Sequence, residues 1–125
     1  MGMVKTPHQL GRDCEALAAA HLKKAGYRIL ERNYRSPLGE IDIIAKEKNT
    51  LVFVEVKARR SRRYGSAKLA LTPAKQRTLS KAALYYLKAR RLGCPKARFD
   101  VVAVDAAGRE PRLEIVRNAF GLAYR

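Results

Sequence analysis

At 125 residues and 47% apolar composition, the chain is sized for one domain with a genuine hydrophobic core, which excludes global disorder. Lys and Arg number 27 against 11 Asp and Glu, giving a net charge of +16. The excess is concentrated: Val56 to Phe99 contains fourteen Lys and Arg and no acid, which points to a polyanionic partner, nucleic acid rather than a membrane surface, because no aromatic-rich amphipathic helix accompanies the charge.

Residues 1–8 read as a flexible terminus and residues 9–125 as a single domain. The opening MGMVKT fits a loose N-myristoylation pattern, and it is read here as a disordered start. Between Gln9 and Ala25, apolar residues from Leu10 through Cys14, Ala18 and Leu22 recur at helical spacing, and Gly26 is a natural stop. Strands follow at about Tyr27–Tyr34, Glu40–Ala45 and Leu51–Ala58, the first two separated by the loop RSPLG. After the basic segment RRSRRYGSAKLAL, Thr72 and Pro73 make a good helix start, and the second helix runs to about Arg91, before Gly93 and Pro95. Strands near Phe99–Val104 and Leu113–Val116, joined by the turn AAGRE, close the chain. This order predicts an α/β fold, a mixed central sheet flanked by helices. Cys14 and Cys94 match no zinc spacing and read as two small buried thiols. With no signal peptide and no span long enough for a bilayer, the expected compartment is the cytoplasm.

The stretch GEIDIIAKEKNTLVFVEVK carries two acids inside apolar strands. A hairpin in which paired residue numbers sum to 97 sets Ile41, Ile43 and Ala45 against Val56, Val54 and Val52 on one apolar face. On the other face Glu40 meets Lys57, Asp42 meets Glu55 and Ile44 meets Phe53. A one-residue slip would mix the faces, so the pattern selects the register. Two carboxylates with Cβ atoms roughly 5 Å apart repel. The repulsion is relieved if one acid takes up a proton, if a lysine lies between them, or if a divalent cation bridges them. Lys57 lies two residues beyond Glu55 on the same face. Mg²⁺, or Mn²⁺, suits a pair of carboxylates completed by water, and with a nearby ammonium such a pair suits phosphodiester hydrolysis. The competing reading makes Glu40 and Lys57 an ion pair and leaves Asp42 and Glu55 solvated near a sheet end.

Asp42, twelve intervening residues, then Glu55-Val56-Lys57 resembles the D…ExK signature of restriction-endonuclease-like nucleases. With GRDCEALAAAHLKKAGYRILERNYR, GEIDIIA, LVFVEVKARR, TPAKQR, RFDVVAV and NAF, the chain is similar to the bacterial YraN family of predicted endonucleases, which in turn resembles archaeal Holliday junction resolvases. The resemblance spans Gly11 to Phe120. It implies an αβββαβ restriction-endonuclease-like core, metal ligation by Asp42 and Glu55, and catalytic roles for Lys57 and for Glu15 on the first helix. Ile41 stands where many of these nucleases carry the proline of a Pro-Asp motif; the carboxylate beside it supplies the chemistry.

Arg59, Arg60, Arg62 and Arg63 flank the end of the ExK strand and suit phosphate contacts. Lys75 and Gln76 occupy the first turn of the second helix, where lysine opposes the helix dipole and so faces a ligand on this reading. Asp100 reads equally as structural or functional, and His8 and His21 have no partners at metal-ligand spacing. The expected function is a Mg²⁺- or Mn²⁺-dependent endonuclease that cuts DNA, branched or structured DNA included. The resemblance to resolvases, which use two sites to cut two strands, implies a homodimer, though no self-complementary surface is legible in the sequence. The alternative is a non-catalytic nucleic-acid-binding module on the same fold, for DNA or structured RNA.

Overall fold

A computed structural model describes the backbone of residues 7–59, 71–105 and 109–122, and side chains within 13–58, 71–105 and 109–122. The elements are α1 (Pro7–Lys24), β1 (Arg28–Ser36), β2 (Gly39–Glu47), β3 (Thr50–Arg59), α2 (Pro73–Ala89), β4 (Ala97–Asp105) and β5 (Arg112–Gly121). Their order contains the αβββαβ core of restriction-endonuclease-like folds, with one strand added. The strands lie side by side in chain order, antiparallel except for β3 and β4, which are parallel and joined through α2.

Alternation along the central strands divides the core in two. Val52 and Val54 of β3 and Val102 and Val104 of β4 join Cys14, Ala18, Ala19 and Leu22 of α1. Their neighbours Leu51, Phe53, Val101 and Ala103 join Leu79, Ala82, Ala83, Tyr86 and Leu87 of α2 on the other face. The sheet is therefore sandwiched between the two helices. Both central strands are apolar on both faces, as strands covered on both sides must be.

The ends of the helices follow from local chemistry. Thr72 Oγ1 accepts from the Lys75 N–H at 3.1 Å, with Pro73 opening α2. At the end of α1 the Tyr27 N–H donates to the Leu22 carbonyl at 3.0 Å around Gly26, whose φ of +97° is left-handed. β2 enters beneath α2 through Gly39, where φ is +149° and a Cβ would lie 3.0 Å from Thr78 Cγ2 and 3.3 Å from the Thr78 carbonyl oxygen.

Several expectations need correction. Cys94 is exposed, in the surface connection after α2, while Cys14 is buried as expected. β5 reaches Gly121 rather than Val116. The polar pair Arg117-Asn118 breaks the apolar pattern there, but Asn118, at φ +54°, donates its N–H to Asp100 Oδ1 at 2.8 Å and keeps the strand attached. Asp100 is also committed to Tyr27, whose hydroxyl donates to Oδ2 at 2.6 Å, and to Arg98 Nε at 2.9 Å. Burial first and the Asp100 carboxylate second push the Tyr27 hydroxyl up to about 12, so it stays a donor. Asp100 is thus a structural anchor, fully hydrogen-bonded inside the sheet. No helix of the described residues is long and apolar enough to cross a membrane.

Candidate active site

The β2–β3 pairing has the expected register, with Ile43 opposite Val54, Ile44 opposite Phe53 and Ala45 opposite Val52. The ladder then stops one pair short of Asp42 and Glu55. Ile41 packs in the α2 cluster, whereas Ile43 packs in the α1 cluster, so strict alternation fails between them. On β1, Tyr34 lies opposite Ile41 and packs with it on the α2 side. The residue before it, Asn33, has φ +55°. Both strands thus change face at the level of Asn33 and Asp42, which corrects the expectation that Ile41 shares a face with Ile43.

This irregularity aims Asp42. Where β2 leaves β3, the Val56 N–H donates to Asp42 Oδ2 at 2.8 Å, so a side chain satisfies the amide in place of a strand partner. Asp42 therefore meets Glu55 through its side chain and not as its rung partner. The two carboxyls lie close enough that Asp42 disfavours charge on Glu55. Burial, then Asp42, pushes the Glu55 carboxyl up to about 7, against the pull of Lys75. Lys75 Nζ lies 3.0 Å from Glu55 Oε2, and the Glu55 side chain is 12% exposed.

On the other side of Asp42 stands Glu15, carried by α1. Burial first and then the Asp42 carboxyl raise the Glu15 carboxyl, while Arg32 and the Asn33 amide lower it. Three acids from three elements are thus linked through Asp42. Among the described residues no group of three or more His, Cys, Asp or Glu side chains is arranged to hold a metal ion. The pair Asp42 and Glu55 nevertheless fits a hard cation, which needs one or two carboxylates and takes water for its other positions.

The remaining expected residues divide by place. Lys57 is half-buried on β3, two residues beyond Glu55. Lys75 reaches the acid pair. Gln76 turns away and donates from Nε2 to the Leu71 carbonyl at 2.9 Å, which ties down the approach to α2. Arg59 ends β3, and Arg60, Arg62 and Arg63 lie outside the described residues. Glu40 lies opposite Arg35 on β1, with Oε1 3.8 Å from Arg35 Nε, so it is β1 and not Lys57 that supplies its cation. Sequence reasoning missed Arg32 and Asn33. Asn33 had a signal, since asparagine inside a strand is unfavourable unless the backbone needs a positive φ; Arg32 had none.

A family model described as "Uncharacterised protein family UPF0102" matches residues 14–104, a span that holds Glu15, Asp42, Glu55, Lys57 and Lys75. A UPF0102 protein of Syntrophus aciditrophicus is 54% identical over 114 residues, covering 91% of this chain and 90% of the relative. One from Desulfosudis oleivorans is 54% identical over 118 residues, covering 94% of each. One from Geobacter metallireducens is 50% identical over 115 residues, covering 92% of this chain and 94% of the relative.

Proposed function

The chain belongs to the UPF0102 family, and from that membership and the geometry of its acids we propose that it is a metal-dependent endonuclease that hydrolyses DNA phosphodiester bonds. One observation carries the reading: Asp42 and Glu55 are held against each other where β2 and β3 part, beside the Lys75 ammonium. Acids gathered against their own repulsion, in a chain with so large a cationic excess, are unfavourable for the fold unless a ligand uses them.

Asp42 and Glu55 would hold Mg²⁺ or Mn²⁺, which when bound stabilises charge on the transferring phosphoryl group and lowers the pKa of a bound water. The Val56 N–H fixes the orientation of Asp42 and leaves its other oxygen for the ligand. Glu55, whose carboxyl is pushed up to about 7 by burial and Asp42, would lose its proton readily in favour of a cation. Lys57 orients the attacking water or neutralises charge developing on the phosphate. Glu15 stands beside Asp42 on the α1 side, close enough for the two carboxyls to influence each other. Arg59, Arg60, Arg62 and Arg63 suit contacts to the phosphates, so recognition would be by phosphate position and shape.

A second reading, a non-catalytic nucleic-acid-binding module, draws on the Lys75–Glu55 ion pair, which already satisfies Glu55 without a metal. Incubation with labelled duplex, branched and single-stranded DNA and with RNA, with and without Mg²⁺ or Mn²⁺, decides between them. The expected result is metal-dependent cleavage of DNA that Asp42→Asn and Glu55→Gln abolish while binding persists. Binding without cleavage of any substrate in either metal would leave the second reading.

A further inference from the structure

The side of α2 turned toward β5 takes no part in holding the carboxylates. Pro73, Arg77, Lys81 and Leu84 recur along it at helical spacing, and with Phe120 of β5 they line an open groove of about 810 Å³. The groove starts at Pro73, in the same first turn of α2 as Lys75, and runs roughly 16 Å along the helix to Leu84. Its surface is mainly apolar, and among the described residues that line it none is acidic.

Two features identify what suits this groove. The Phe120 ring is stacked on Phe99, with centroids 4.1 Å apart and planes 9° from parallel. Among the described residues β5 is the edge strand, and no described strand lies beyond that ring. Arg77 and Lys81 stand exposed above it, one helical turn and roughly 6 Å apart, a spacing that suits successive phosphates of an extended strand. A rigid aromatic ring beneath a cationic rim is how proteins hold single-stranded nucleic acid. A continuous duplex keeps its bases inside and offers none to such a ring.

We propose that the groove between α2 and β5 takes an unpaired segment of a DNA strand, with a base against Phe120 and the flanking phosphates on Arg77 and Lys81. The strand is thereby led to the carboxylate pair from a junction of paired and unpaired DNA. This rests on the nuclease reading above and narrows its substrate to duplexes with an unpaired extension or branch.

The test measures binding in EDTA, where no cleavage intervenes. A short blunt duplex is compared with the same duplex carrying an unpaired extension that contains 2-aminopurine. The extension should tighten binding roughly fivefold to a hundredfold, and 2-aminopurine fluorescence should fall as the base stacks. Phe120→Leu keeps an apolar side chain and should remove both effects without changing affinity for the blunt duplex. Arg77→Ala with Lys81→Ala, at exposed helix positions, should reduce the salt slope for the extended duplex by about two, and it carries the test if Phe120→Leu does not fold. Equal affinity for the two duplexes, or a preference that survives Phe120→Leu, overturns the groove and leaves the nuclease reading standing, since metal-dependent cleavage of the blunt duplex is scored separately. Binding to neither overturns both.

Discussion

Asp42 has neighbours that make opposite demands. The Val56 N–H favours a charged acceptor, while Glu15 and Glu55 disfavour a second negative charge between them. Substitutions separate these effects. Asp42→Asn retains an oxygen for Val56 and removes the charge, so in the absence of metal the variant should lie within about 1 kcal/mol of the parent, or above it. Asp42→Ala strands the amide and should cost ~1–3 kcal/mol in urea unfolding. Equal losses for the two would mean that the charge itself stabilises the fold and that the acids are not in conflict. The parent should also melt higher in millimolar Mg²⁺ or Mn²⁺, and Asp42→Asn should not.

Glu55 gives a pH signature with a definite sign. Its carboxyl is raised in the fold, mainly by burial and then by Asp42, from an ordinary 4.5 to about 7. Between those values the native state binds more protons than the unfolded chain. The stability this group contributes is therefore complete below pH 4.5 and is lost as the pH rises toward 7, by an amount on the order of 1–3 kcal/mol. Glu55→Gln removes the titration, so in EDTA the variant should gain on the parent as the pH rises through that window. A constant difference between their unfolding free energies would show that Glu55 ionises in the fold as it does in the unfolded chain.

Among the elements, β2 is the most constrained, because two different neighbours shape its first few residues. Asp42 and Asn33 mark the change of face near its start, and Gly39 admits it beneath α2. Gly39→Ala should destabilise the protein by ~1–3 kcal/mol, since the new methyl meets backbone as well as side chain at a φ of +149°. Adding Thr78→Ala should recover only the side-chain part, leaving the conflict with the carbonyl and the backbone angle. Complete recovery in a thermal melt would mean that α2 yields more easily than its packing suggests. The elements themselves were legible. The 3.6-residue and two-residue periods mark all seven, and the 97-sum register of β2 and β3 follows from apolar faces alone. What periodicity does not carry is the place where it is broken. The step between Ile41 and Ile43 and the run of β5 past Asn118 depend on backbone N–H groups donating to side-chain carboxylates, Val56 to Asp42 and Asn118 to Asp100. Composition does not announce such bonds.

For the molecule as a whole, the acid-free stretch and the paired carboxylates could both be read from the chain, but their relation could not. Lys75 was visible as a cation at a helix start; that it would reach Glu55 depends on the parallel crossover that sets the start of α2 over the end of β3. Glu15 likewise meets Asp42 only because α1 covers the opposite face of the same strands.

That crossover also sets an order of events. β1, β2 and β3 are joined by tight connections and can pair with little loss of loop entropy, whereas β3 and β4 can pair only after the whole of α2 has folded back between them. The acid pair thus belongs to the part of the chain that assembles first, and the ammonium that balances it arrives later. Core truncations in the early hairpin, such as Val52→Ala, should slow refolding, while Val116→Ala on the last-added strand should mainly hasten unfolding; chevron plots distinguish the two, and the opposite pattern would place β5 in the nucleus. If the order holds, every newly made molecule passes through a moment in which its carboxylates are gathered and uncompensated. A divalent ion present during synthesis could then act on the nascent hairpin before Lys75 is there to compete.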